Sequence, residues 1–285
     1  MSPDTDPRAA GGSAYLEIDA AWTVRILSEF IAREVGRTGK RRVVVGLSGG
    51  LDSAVSAFLA CRALSPDNVT CILMPYRTSS ESSIADARTA VAHLGCASET
   101  IDITPIVEGF SKTAGEVDRL RLGNVMARAR MTLLFDRSAA LDALVLGTSN
   151  KTELLLGYGT LHGDLASALN PLGDLYKTQV RHLAEHLGVH ESIRSKAPSA
   201  DLWPDQTDEN ELGYGYEALD RLLALLIDAR ASRETACETG FPRSMVDDVM
   251  RRVVRSQFKR RQPVIAKVSL RSVGWDFRYP RDWLS

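Results

Sequence analysis

The sequence predicts an α/β protein with a doubly wound, mostly parallel sheet and a helical C-terminal part. Three observations carry that expectation. Short runs that are apolar throughout alternate with segments of helical apolar spacing, the pattern of strands covered on both faces. A glycine-rich stretch, "GLSGGLDS", follows the first such run, where an α/β unit passes from strand to helix and binds its ligand. After Gly147 the strand signal stops and only helical spacing remains.

Taken in order, the first element is a helix over 18–35, with Leu27, Phe30, Ile31 and Val35 on one stripe and Gly36 and Gly39 as its stop. Trp22 and Phe30 on this helix suit either the core or a subunit interface. A short strand at 43–45, "VVV", is followed by a helix at 54–64 and by "VTCILMPY", a second strand ended by Pro75. The segment 83–95 reads as a helix closed by Gly95, 99–103 as a third strand, 120–140 as a long helix and 143–147 as a fourth strand. Helices over 175–187, 215–227 and 242–258 follow. Between them, 196–213 carries two prolines and a polar run from Asp205 to Glu211, and reads as a mobile loop of the kind used as a lid.

Bulk properties bound the function. The chain has 285 residues, 44% hydrophobic, enough for a full core, and a formal net charge of −1 that offers no field for a nucleic-acid backbone. The basic run at 251–261 suits dinucleotide phosphates or a neighbouring subunit better than nucleic acid. No apolar run approaches the ~20 residues that span a bilayer, and the N-terminus lacks the basic-then-apolar order of an export signal. Residues 1–14 read as a disordered tail, 15–285 as a single domain, and the setting as cytoplasmic. Cys61, Cys71, Cys96 and Cys237 form no CxxC pair and read as reduced, with three of them in apolar periodic segments. His182, His186 and His190 recur every four residues, but the apolar stripe through Val180, Leu183, Ala184 and Leu187 puts the first two on the solvated side of a helix rather than at a metal.

The loop after the first strand holds the chemistry. A dinucleotide fingerprint needs GxGxxG, and here the glycines are out of register. A Walker A loop needs a lysine, and none occurs between Lys40 and Lys112. What remains is a loop over Gly46, Leu47, Ser48, Gly49, Gly50, Leu51, Asp52 and Ser53 whose backbone amides turn inward at a helix N-terminus, an anion site with hydroxyls at both ends. Asp52 within it would repel phosphate oxygens unless a cation lay between, and Mg2+ favours one or two carboxylates plus phosphate oxygens. The bland alternative is that the glycines make a tight turn and Asp52 caps the helix.

SGGLDS resembles the pyrophosphate-binding loop of the ATP pyrophosphatase superfamily, with its adenine nucleotide alpha hydrolase-like fold. Further stretches resemble one family within it, the NAD synthetases: "LMPYRTSS", "GNVMARARM", "LVLGTSNKTELLLGY", "NPLGDLYKTQV", "PSADLWPDQTDENELG" and "FKRRQP". The resemblance implies that deamido-NAD, nicotinate adenine dinucleotide, is adenylated by ATP on its nicotinate carboxylate and then amidated by ammonia. It implies Mg2+ on Asp52 and Glu153, and ATP contacts at Thr148, Lys177 and Ser199 as well as the loop. Deamido-NAD contacts are implied at Arg128, Asp164 and Lys259, and a homodimer as the assembly.

Ammonia-using members commonly carry lysine, aspartate and histidine where this chain has Leu161, Ala168 and Phe258. These positions look more like the synthetase domain of glutamine-dependent relatives, whose extra amidase domain finds no room in 285 residues. Direct use of ammonia is therefore expected, with a separate glutaminase subunit as the other source. Another ATP-pyrophosphatase-type enzyme acting on a different substrate, or a non-catalytic ATP-binding regulator, are the competing readings.

Overall fold

The structure, a computed structural model, describes residues 12–203, 206–261 and 263–273. Most of the expected tail (1–11), two residues of the expected lid (Pro204 and Asp205), Gln262 of the "FKRRQP" stretch and 274–285 of the expected domain lie outside the described residues. Gly12 to Ala14 of the expected tail enter a 3-10 turn, Ser13–Tyr15.

The first half alternates strictly. Helix α1 (Ala20–Gly36), capped by Asp19, precedes β1 (Arg42–Gly46), α2 (Leu51–Leu64), β2 (Val69–Leu73), α3 (Glu81–Leu94) and β3 (Ala97–Thr100). Then come α4 (Thr104–Ala114), α5 (Arg119–Ala140) and β4 (Ala143–Leu146). The four strands form one parallel sheet in the order β3-β2-β1-β4. Val43 to Val45 of β1 are fully buried and alternate between faces. Val43 and Val45 join the cluster under α1 and α2, while Val44 joins Ile72, Ile103 and Met126 under α4 and α5. Burying each such side chain contributes about 1.5–3 kcal/mol, so this short run is a strong folding determinant.

Strand order fixes where a ligand can sit. From β1 the chain winds outward through β2 to β3, then returns to lay β4 on the other flank of β1. The crevice at that reversal, beyond the carboxyl ends of β1 and β4, is the topological switch point. The loops that open there are 47–50 and 147–150.

Beyond β4 the chain is helical: α6 (Lys151–Leu156), α7 (Lys177–His186), α8 (Glu191–Arg194), α9 (Asp208–Leu212), α10 (Tyr216–Leu223), α11 (Arg233–Glu238) and α12 (Arg243–Arg255). The expected helix over 215–227 changes to a π-helical turn after Leu223, where Ala229 N–H reaches back to Ala224 O at 3.0 Å. That over 242–258 ends in a 3-10 turn, Gln257–Arg260. Tyr216, Leu222, Leu225 and Val249 centre a second core between α10 and α12. Among the described residues no helix is long and apolar enough to cross a membrane.

Candidate active site

The glycine loop is shaped by one residue that only glycine can fill. Gly49 has φ +81°, and a Cβ there would lie 2.0 Å from the Ser83 carbonyl oxygen of α3. The loop's hydroxyls serve the loop itself. Ser48 N–H donates to Ser53 Oγ (3.2 Å), Gly50 N–H donates to Ser48 Oγ (3.2 Å), and Ser53 Oγ donates to Gly50 O (3.0 Å). Two amides expected to face an anion are thus committed to holding the turn. The donors that α2 leaves unused are those of its first turn, Leu51, Asp52 and Ser53.

Asp52 does not cap α2; Gly50 takes the cap position without a side-chain bond. Its carboxylate reaches across the crevice instead. Oδ1 accepts from Asn150 Nδ2 at 3.1 Å and Oδ2 pairs with Lys177 Nζ. Lys177 Nζ also lies 3.6 Å from Glu153 Oε1, so one ammonium bridges two carboxylates that are 101 residues apart in sequence. Asn150 explains their placement. It is fully buried, its Oδ1 accepts from Glu153 N–H (3.0 Å), and its own N–H donates to Glu153 Oε2 (3.2 Å), a capping box that starts α6 and aims Glu153 inward.

Negative charge is in excess here. Burial first, then the charge of Asp52, pushes Glu153 well above the usual carboxylate range in spite of Lys177. Burial also raises Asp208, which α9 brings within electrostatic reach of the same group. Desolvation alone would lower Lys177, yet Asp52 and Glu153 outweigh it and hold the ammonium charged. Two inward carboxylates are the donor set that Mg2+ takes when substrate phosphates complete its shell.

All of the other expected residues but one share a cleft of about 1020 Å3. Thr148, just beyond β4, and Ser199 line it, as do Asp164 and Lys259. Asp164 accepts from Thr160 N–H at 2.8 Å, and crowding by protein raises its pKa. Lys259 Nζ donates to Gly157 O (2.8 Å) and Gly159 O (2.6 Å). Arg128 stands apart: it does not line the cleft, and its guanidinium donates to Leu161 O at 3.2 Å from behind the 160–164 turn.

Several cleft residues were not singled out from sequence. Arg130 of α5 lines the cleft and donates to Met74 O at 3.0 Å. Segment 196–213, expected to be a mobile loop, is latched at both ends. Lys196 pairs with Asp86 (2.9 Å) and Asp201 accepts from Ser80 N–H (3.2 Å). Asp208 accepts from Tyr158 (3.0 Å) and Tyr216 (2.9 Å). Its α9 was legible as a local pattern, Thr207 as N-cap and Gly213 as C-terminal stop, but the polar run obscured it. His182 and His186 are exposed on α7.

The family model for NAD synthase matches residues 23–263. An NH(3)-dependent NAD(+) synthetase from Chlorobium phaeobacteroides (strain BS1) is 54% identical over 268 residues, covering 94% of this chain and 97% of that protein. The solved NH3-dependent NAD synthetase from Campylobacter jejuni, in complex with the nitrate ion, is 36% identical with a TM-score of 0.76, over 88% of this chain and 100% of that one. NMN synthetase from Francisella tularensis superposes with a TM-score of 0.77 at 31% identity, over 88% of this chain and 99% of that one. With a match across most of its length and the switch-point geometry described above, this chain belongs to the NAD synthase family.

Proposed function

We propose that this protein is an ammonia-dependent NAD synthetase, a ligase that forms a C–N bond between the nicotinate carboxylate of deamido-NAD and ammonia at the expense of ATP. The observation that carries the reading is the convergence, at the switch point, of the Gly49 turn, the first turn of α2, and the Asp52–Lys177–Glu153 cluster. Such a site suits a departing pyrophosphate: helix-terminal amides and an ammonium stabilise charge that grows as the bond to the α phosphate breaks.

The nicotinate carboxylate oxygen attacks the α phosphate, the bond to the β phosphate breaks, and an acyl adenylate and pyrophosphate result. Ammonia then attacks the acyl carbon, AMP leaves with the bridging oxygen, and one proton is released. No side chain is needed as a nucleophile, so positioning, charge neutralisation and exclusion of water are what the protein supplies. The first-turn amides of α2, Leu51 to Ser53, and Lys177 hold the outer phosphates, with Gly46 to Gly50 shaping the turn, and Thr148 and Ser199 hold the rest of ATP. Asp164 and Lys259 receive the nicotinate end, with Arg128 fixing the 160–164 turn through Leu161 O. A Mg2+ bound by Asp52 and Glu153 would neutralise phosphate charge during cleavage.

Free ammonia as nitrogen source is supported by the similar synthetases, which are NH3-dependent. A homodimer is supported by the exposed Trp22 and Ile26, each 59% exposed on one stripe of α1, and a reducing, cytoplasmic setting by four free thiols. Light scattering at micromolar concentration checks the assembly.

The deciding test incubates the purified chain with deamido-NAD, ATP, Mg2+ and ammonium chloride and detects products by mass. NAD, AMP and pyrophosphate in equal amounts are expected. Turnover of nicotinate mononucleotide in place of deamido-NAD would transfer the reading to the smaller substrate, and glutamine supporting the rate as well as ammonium would overturn the nitrogen source. No acid-dependent pyrophosphate release would leave only a nucleotide-binding protein.

A further inference from the structure

Asp220 is fully buried in α10 and does not line the cleft, yet it is bonded to both helices that deliver the central cluster. Its Oδ1 accepts from Thr152 Oγ1 at 2.5 Å and its Oδ2 accepts from Thr178 N–H at 2.8 Å. Thr152 Oγ1 in turn accepts from Lys177 N–H at 3.0 Å. Thr152 immediately precedes Glu153 in the first turn of α6, and Lys177 is the first residue of α7.

The arrangement answers a difficulty at the start of α7. Its N-cap is Tyr176, whose phenol is turned away to donate to Asp228 at 2.8 Å, so no local side chain accepts from Lys177 or Thr178. A lysine at the positive end of a helix is also electrostatically unfavourable. Asp220 resolves both. It accepts from Thr178 directly, and by taking the single proton of Thr152 it turns that hydroxyl's lone pairs toward Lys177 N–H. A carboxylate beneath the α7 N-terminus also offsets the lysine's unfavourable position. One chain of bonds ends on Thr178 N–H and the other, through the Thr152 side chain next to Glu153, on Lys177 N–H, whose own side chain lies 3.6 Å from Glu153.

We propose that Asp220, acting through Thr152, is a positioning residue that fixes the start of α7 against α6 and so places Lys177 for the outer phosphates of ATP. This rests on the reading that the site binds ATP. It assigns a specific action to a residue that does not line the cleft.

The test measures affinity rather than turnover. ATP binding in the presence of Mg2+ is followed by calorimetry for the wild type, Thr152→Val, Thr152→Ser and Asp220→Asn, with thermal melts to establish folding. Thr152→Val and Asp220→Asn are expected to bind ATP about tenfold more weakly, and Thr152→Ser, which keeps the hydroxyl, about as well as the wild type. Affinity for deamido-NAD should hold in all three. In a Lys177→Met background, Thr152→Val should add less than about a twofold loss, because the effect runs through Lys177. Should Asp220→Asn fail to fold, the valine and serine pair decides. Thr152→Val binding ATP like the wild type, or weakening it equally with Lys177 absent, overturns the inference. A wild type that binds no ATP removes the proposed function, and this inference with it; wild-type binding with an unaffected Thr152→Val removes this inference alone.

Discussion

Replacing Gly49 with alanine should damage the protein for two separable reasons. At φ +81° an alanine pays the left-handed penalty, roughly 1–2 kcal/mol. Its Cβ would also sit 2.0 Å from Ser83 O, a contact of backbone with backbone that no rotamer can relieve, so α3 or the loop must move. Overpacking of that kind costs typically 1–3 kcal/mol, giving about 2–5 kcal/mol in all. For a chain of 285 residues that is roughly a 3–8 °C fall in melting temperature. Gly39→Ala is the matched control, since Gly39 has φ +75° with nothing within 4 Å of the added Cβ, and should show the conformational penalty alone. The assay is thermal unfolding of both variants beside the wild type, with ATP affinity measured below either transition. Gly49→Ala should melt well below Gly39→Ala and bind ATP at least about tenfold more weakly, because displacing the loop misaligns the first-turn amides of α2. Equal melting of the two variants, or wild-type ATP affinity in Gly49→Ala, would refute the close approach of loop and α3.

Asp52→Ala should lower turnover about a hundredfold or more, the scale for one preorganised electrostatic element, and an unaltered steady-state rate at saturating Mg2+ would remove Asp52 from the chemistry. Chelating divalent ions should stop pyrophosphate release and added Mg2+ restore it; release that persists in excess chelator contradicts the two-carboxylate site. Asp86 bears on acid stability. Burial raises its pKa, but hydrogen bonds from Ser192 and Lys196 and the Lys196 charge outweigh this and leave it below its ordinary value. Its stabilisation is therefore present above the unfolded carboxylate pKa and lost as pH falls through the lower, folded one. The gap in melting temperature between wild type and Lys196→Met should accordingly be open at pH 7 and close toward pH 3, and a gap independent of pH would show that the pair contributes no proton linkage.

How much of this was legible in the sequence depends on the range of the interaction. Val43 to Val45, the SGGLDS turn and the 22-residue α5 declare themselves locally, through burial pattern and glycine spacing, and lie where expected to within a few residues. Pattern alone said nothing of the strand order, which creates the crevice between β1 and β4. Asp52 was singled out as a bare carboxylate needing a cation, yet its actual partners, Asn150 and Lys177, lie 98 and 125 residues away, and only the fold brings them together. The Asn150–Glu153 capping box was readable as "NKTE" but sits in a six-residue helix too short to show apolar periodicity. Asp220 carries no local signal, being one acidic residue on an amphipathic helix, and its role follows from burial and from two bonds made across the sequence.

The most direct test of nucleotide cleavage at the α phosphate follows an oxygen atom. Deamido-NAD carrying oxygen-18 in its nicotinate carboxylate is turned over with ATP, Mg2+ and ammonium, and the nucleotide and phosphate products are weighed. The expected result is one labelled oxygen in AMP with unlabelled pyrophosphate. Label in inorganic phosphate, or none in AMP, would contradict an outer-phosphate grip at the Gly49 turn and the Asp52–Lys177–Glu153 cluster.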